Sequence, residues 1–238
     1  MNDSEHNDKS HGEDQHVVTK GTHQVLDALF DTPAGSHNIL VYSDLQVLRQ
    51  IYPVYIRSLL ENNEIVLILT YYDHPSVMKK ILGDGDQRKF THDDIERYVQ
   101  DGSLVVVDSL MSYFDKDHKY TTDVGNNNLN ILSLIRILLN HGVKNSKNGI
   151  TIISDMGAFF HSAHYNEPKN DGDNIHRILE YERSIPTRYK DLELTKFCLY
   201  HQKDFESHFK STRKKAQLLD SHVRSLLVID NNRRANGF

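Results

Sequence analysis

Five apolar runs in this sequence stop at residues that can donate, accept or carry charge. Ser43 and Asp44 follow the run NILVY, whose last residue is Tyr42. Tyr71, Tyr72, Asp73 and His74 follow IVLILT. Asp108 closes GSLVVVD and precedes Ser109. Asp155 closes GITIISD, and His201 closes LTKFCLYH. If these runs are parallel strands of one open sheet, the residues share a rim, because ligands of such sheets bind beyond the carboxyl ends of the strands. Phenol rings beside a few carboxyl, hydroxyl and imidazole groups suit a small, partly apolar molecule.

Two other chemistries compete for this rim. An apolar strand ending in Asp, as at Asp108 and Asp155, is the pattern of the carboxylate that positions Mg²⁺ in P-loop ATPases. Asp also simply ends strands and opens turns, which is the commoner reading. The phosphate cradle G-x-x-x-x-G-K-[ST] is absent, and the dipeptide Gly-Lys occurs nowhere. After the first run stands SDLQVLR, with no glycine and an added carboxylate. ATP with Mg²⁺ is therefore the alternative ligand, and Arg49, Arg57 or Arg136 would have to replace the missing Lys. A metal or redox sensor is the third reading. Asp155, His161 and His164 are its candidate ligands, since His-x-x-His can share a helix face. Cys198 and His201 point to opposite faces of a strand, so they form no local pair, and a core position is the commoner fate of such a cysteine. Arg136, the one charge in the run Leu129–Leu139, either meets Asp108 or Asp155 as a buried partner or reaches the surface. No G-x-S-x-G elbow, H-E-x-x-H helix or glycosidase carboxylate pair is present.

Positioning such a rim takes strands that alternate with helices. Apolar spacing predicts an opening helix before Pro33, then helices over Leu45–Asn62, His74–Leu82, Thr91–Gln100, Asn128–His141, Ile175–Ser184 and Arg213–His222. Thr91 is the expected N-cap of the third of these, with Asp93 and Asp94 in its first turn. The helix over Asn128–His141 is apolar nearly all round and is expected to be buried. Ser225–Ile229 gives a last strand. Strands that are apolar throughout need cover on both faces. The fold class is therefore α/β, a mostly parallel sheet covered by helices on both faces.

The chain has 238 residues, 28 Lys and Arg against 33 Asp and Glu, and a single cysteine. One cysteine excludes an internal disulfide, and the mild net negative charge argues against direct nucleic-acid or membrane-surface binding. The apolar runs are too short to span a membrane. Residues 1–20 read as a disordered polar tail, 21–230 as a single domain and 231–238 as a polar end. The expected location is cytoplasmic.

The order of these features resembles the MEDS family, sensory domains of methanogens, methylotrophs and the dichloromethane-responsive regulator DcmR. The resemblance rests on GSHNILVYSDLQVLRQIYPVYIRSLLENNEIVLILTYYDHPSVMKKIL, IERYVQDGSLVVVDSLMSYF, LSLIRILLNHGVKNSKNGITIISDMGAFF, ILEYERSIP and FCLYHQKDFE. It implies a RecA/KaiC-like core without a P-loop, in which Ser43–Leu48 replaces the phosphate loop and Asp155 is the relic of the Mg²⁺ carboxylate. It also implies a non-catalytic sensor of small organic compounds. Such a sensor works through a downstream signalling protein or through self-association, as in a homodimer.

Overall fold

The structure is a computed structural model. It describes residues 16–19, 22–83, 91–114, 131–161, 171–210, positions 216, 218 and 222, and residues 225–229. In chain order the elements are β1 (His16–Thr19), α1 (Thr22–Phe30), β2 (His37–Tyr42), α2 (Leu45–Glu61), β3 (Ile65–Thr70), α3 (Pro75–Gly83), α4 (His92–Gln100) and β4 (Leu104–Asp108). They continue with α5 (Ser109–Tyr113), α6 (Ile131–Lys144), β5 (Gly149–Asp155), α7 (Ala158–His161) and α8 (Asp171–Ser184). The last are β6 (Arg188–Tyr189), β7 (Leu192–His201), α9 (Gln202–His208) and β8 (Ser225–Ile229).

The sheet order is β1-β8-β2-β7-β5-β3-β4, with β6 a short antiparallel addition to β7. Every other pairing is parallel. The fold is thus α/β, a mostly parallel sheet with helices on both faces. Chirality explains which helix lies where. A right-handed crossover puts its helix on one face when the chain moves one way across the sheet and on the other face when it moves back. From β1 to β4 the chain moves one way, and α1, α2, α3 and α4 share one core layer, with Leu29, Leu48, Ile56, Leu82 and Ile95 buried in it. From β4 to β8 it returns, and α5 through α9 build the other layer around Tyr113, Ile135, Phe159, Ile178 and Phe205. The strands between the layers, β2, β3 and β5, are buried at every residue, whereas the edge strand β4 is half-buried over most of its length.

Local chemistry sets the element ends. Thr91 caps α4 in a reciprocal box with Asp94, as its position before an acidic first turn requires. Pro53 sits inside α2, where it forfeits one helical N–H bond. The apolar face of α2 compensates, because a fully buried Leu, Ile or Val contributes about 1.5–3 kcal/mol, and Val47, Leu48, Ile51, Ile56 and Leu60 are all buried.

Two expectations are corrected. Residues 16–19 belong to a strand and not to a disordered tail; parallel hydrogen bonding to β8 orders a stretch whose composition alone gives no reason for order. Helix α6 is not buried all round. It packs Ile131, Ile135, Leu138 and Leu139 inward and leaves Ile137 about half exposed, because the sheet covers only one of its faces. The expected helix over Arg213–His222 lies, apart from isolated positions, outside the described residues, as do residues 1–15 and the end from 231 to 238. The short elements α5, α7, α9 and β6 carry too little periodicity to be read from sequence.

Candidate functional site

Among the described residues, neighbouring strands hand the chain to opposite faces of the sheet at three places on the carboxyl rim, β2/β7, β5/β3 and β3/β4. Beyond β2 the chain enters α2 on one face, while beyond the neighbouring β7 it enters α9 on the other. The loops after β3 and β5 diverge in the same way. Such divergences are where open α/β sheets bind ligands. Tyr42, Ser43, Asp44 and His201 flank the first divergence, Tyr71, Tyr72, Asp73, Asp155 and Met156 flank the second, and Asp108 lies at the third.

Asp155 is the buried centre of the second divergence. Its Oδ1 accepts the Gly157 N–H at 2.9 Å, and the carboxylate also takes backbone N–H bonds from Tyr72 and Tyr71. Burial pushes its pKa up to about 7; the backbone donors oppose the shift and Asp204 adds to it. Gly157 is needed for close approach. A Cβ there would lie 2.7 Å from a Tyr71 ring carbon, 3.0 Å from Tyr72 and 3.1 Å from Asp155 Oδ1.

Around Asp155 stands a wall of rings. Tyr71 meets Tyr72 edge-on at 5.1 Å and stacks on His161 at 5.9 Å. Tyr72 donates its hydroxyl to Asp204 Oδ2 at 2.9 Å, and His161 Nε2 bonds the same oxygen at 2.9 Å. Tyr42 meets His201 edge-on at 5.4 Å. The Tyr42 hydroxyl is buried and has no hydrogen-bond partner among the described residues. Burial, with Asp155 next in weight, raises its pKa strongly. Tyr52 on α2 is buried, and burial, with Asp155 and Asp73 nearby, raises its pKa well above the ordinary value.

The remaining sequence candidates have structural tasks. Asp44 caps α2, its Oδ1 accepting from Gln46 N at 2.9 Å. Asp108 caps α5 through Met111 N at 3.1 Å. Asp73 holds Arg49 by a two-point contact, one limb Nε to Oδ2 at 3.1 Å. His201 accepts from Lys203 N at 3.3 Å and so caps α9. Ser43 is half-buried beside Asp44. Arg136 is exposed on α6, so it reaches the surface and is no buried partner of Asp108 or Asp155. His161 pairs with Asp204, and His164 lies outside the described residues. Asp204 joins the site from α9, and its only sequence signal is its place just past the end of β7, in FCLYHQKDFE.

A groove of about 320 Å³ lies at the opposite end of the sheet, lined in part by Leu29, Tyr55, Glu64, Thr151 and Thr195. At the rim itself the described side chains are packed against one another, with the outer rings of Tyr72 and His161 partly exposed.

The fold and the rim define a doubly wound α/β domain in which the helix end that follows the first central strand is closed by the chain's own carboxylate. Residues 36–213 match the family described as MEDS, MEthanogen/methylotroph, DcmR Sensory domain, and the chain belongs to that family. No curated protein matches the chain in sequence. Among solved structures it is similar to a KaiC-like protein from the hyperthermophilic archaeon Pyrococcus horikoshii, at 12% identity and TM-score 0.43, over 71% of this chain and 64% of that one. A second Pyrococcus horikoshii protein is similar at 9% identity and TM-score 0.45, over 86% of this chain and 88% of that one. Among the described residues no helix is long and apolar enough to cross a membrane.

Proposed function

We propose that this chain is a non-catalytic sensory domain that binds a small, partly apolar organic molecule at the carboxyl rim of its sheet. One observation carries the reading: Asp155, a buried carboxyl with a pKa near 7, stands at the rim among the rings of Tyr42, Tyr71, Tyr72 and His161. A carboxyl that titrates near neutrality can accept from or donate to a hydroxyl or amine, and the rings suit a methyl or halogen substituent. Entry requires Tyr71 and Tyr72 to swing away from Gly157. Binding then favours one of two states of the domain, read by a partner protein or a second copy of the chain. Asp44 supports this reading over nucleotide binding. Its carboxylate takes the helix N-terminal amide that a phosphate would use and repels a phosphate there.

Thermal unfolding with methanol, methylamine, dichloromethane and Mg-ATP tests the proposal; the organic probes follow the family's methylotroph and methanogen members. Saturation at a hundred times Kd stabilises by about 2.7 kcal/mol, a shift of a few degrees for a domain of this size. An organic probe is expected to give that shift, and Asp155→Ala to remove it. A shift with Mg-ATP that disappears in Asp155→Ala would replace this reading with a residual nucleotide switch.

A further inference from the structure

We infer that the chain holds a second site, independent of the rim: a buried transition-metal centre, suited to Zn²⁺, with His37, Glu182, Cys198 and His222 as its four ligands. His37 opens β2 at the end of the strand opposite the rim. Cys198 lies within β7, Glu182 on α8, and His222 three residues before β8. All four are buried, and one donor atom from each lies within 4.8 Å of the others.

Three features favour a metal. The first is the donor set. Two imidazole nitrogens, a sulfur and a carboxylate oxygen match the ligands and the number that tetrahedral Zn²⁺ takes, whereas Mg²⁺ and Ca²⁺ want oxygen alone. The second is the orientation of His222. Its Nδ1 lies 2.7 Å from the Leu218 carbonyl oxygen. A carbonyl only accepts, so Nδ1 carries the hydrogen and Nε2 turns its lone pair to the cluster. Metal-binding histidines are commonly fixed in this way by a backbone carbonyl. The third follows from it. His222 Nε2 stands 3.2 Å from Glu182 Oε2, so two acceptors face each other and a cation between them satisfies both.

The competing occupant is Lys196. Its Nζ lies 2.9 Å from Glu182 Oε2 and 3.9 Å from the centre of the Tyr181 ring. It keeps Glu182 ionised, and its charge weakens the hold on a dication, so binding is expected to be reversible. His37 Nε2 contacts Glu182 Oε2 and lies 3.3 Å from Cys198 Sγ. On binding, Cys198 exchanges its thiol proton for the metal and releases it to solvent, and the metal takes no electrons.

Cobalt(II) titration of the chelator-treated full chain decides the matter. Because the sequence has one cysteine, a thiolate-to-cobalt charge-transfer band reports Cys198 directly. The expected result is one equivalent of Co²⁺ with that band and a tetrahedral visible spectrum, displaced by Zn²⁺. Cys198→Ser should abolish the band, and His222→Gln should weaken binding about tenfold or more. His161→Ala at the rim should change neither. If a variant fails to fold, the wild-type spectrum still decides. Absence of the band, or a six-coordinate spectrum that survives both substitutions, overturns the site and leaves Lys196 as the cation paired with Glu182. Neither outcome bears on the organic-ligand reading of the rim.

Discussion

Two buried carboxyl groups lie on this one fold, and their environments push them in opposite directions. Burial raises both. At Asp155 burial prevails, because the groups facing it are backbone amides and a second acid, and its pKa reaches about 7. At Glu182 burial is outweighed by the Lys196 ammonium, and its pKa is held well below the carboxylate range. A carboxyl in the first setting is poised to change protonation near neutrality, as a recognition group needs. In the second it is locked as an anion, as an ion pair or metal ligand needs. Burial alone does not decide what a buried acid does; the presence of a neighbouring cation does.

The largest test of this contrast is Glu182→Leu. It leaves Lys196 buried without its anion, and breaking such a pair costs roughly 3–5 kcal/mol. The double variant Glu182→Leu with Lys196→Met should recover most of that loss in denaturant melts. A single variant as stable as wild type would mean that Lys196 does not set Glu182.

Stability against pH gives the next effect. Asp155 binds its proton more tightly folded than unfolded. Its stabilising contribution is therefore complete below about pH 4 and is lost as pH rises through about 7. The slope is at most about 1.4 kcal/mol per pH unit. Asp155→Asn keeps the neutral form and should flatten that limb of the Tm–pH curve. An unchanged curve would remove Asp155 from the poised class.

The smallest effect is expected where a charge pair is open to water. Arg49 is about 30% exposed beside Asp73. Arg49→Met should cost no more than roughly 1 kcal/mol in the same melts, since screened pairs contribute little. A loss as large as that at Glu182 would blur the distinction between enclosed and open pairs.

The rim was legible in the sequence to a useful degree. Tyr42, Tyr71, Tyr72, Asp155 and His201 follow from the rule that strand ends share an edge, and each sits at a loop divergence. Tyr52 lies mid-helix, where no strand-end rule applies, and Asp204 lies three residues past β7 on a helix too short to be read from periodicity. Arg136 kept two readings in sequence, since an Arg on an apolar helix is compatible with either until the covered face is known.

The long strands and helices were legible in the chain, because their periodicities are local and repeat within a few residues, whereas β1, α5, α7, β6 and α9 were not. The sequence by itself also showed the absence of a phosphate-cradle motif, because G-x-x-x-x-G-K-[ST] occurs nowhere and an acidic Asp44 opens the first long helix. Only the tertiary structure decided the second cluster. His37 and Cys198 are 161 residues apart in sequence, yet parallel pairing of β2 with β7 brings them into contact. Glu182 joins them from α8 and His222 from the segment before β8. Strand order carries no local signature in sequence, because it is fixed by which apolar faces the crossovers cover. A site assembled across that order becomes visible only once the sheet is built.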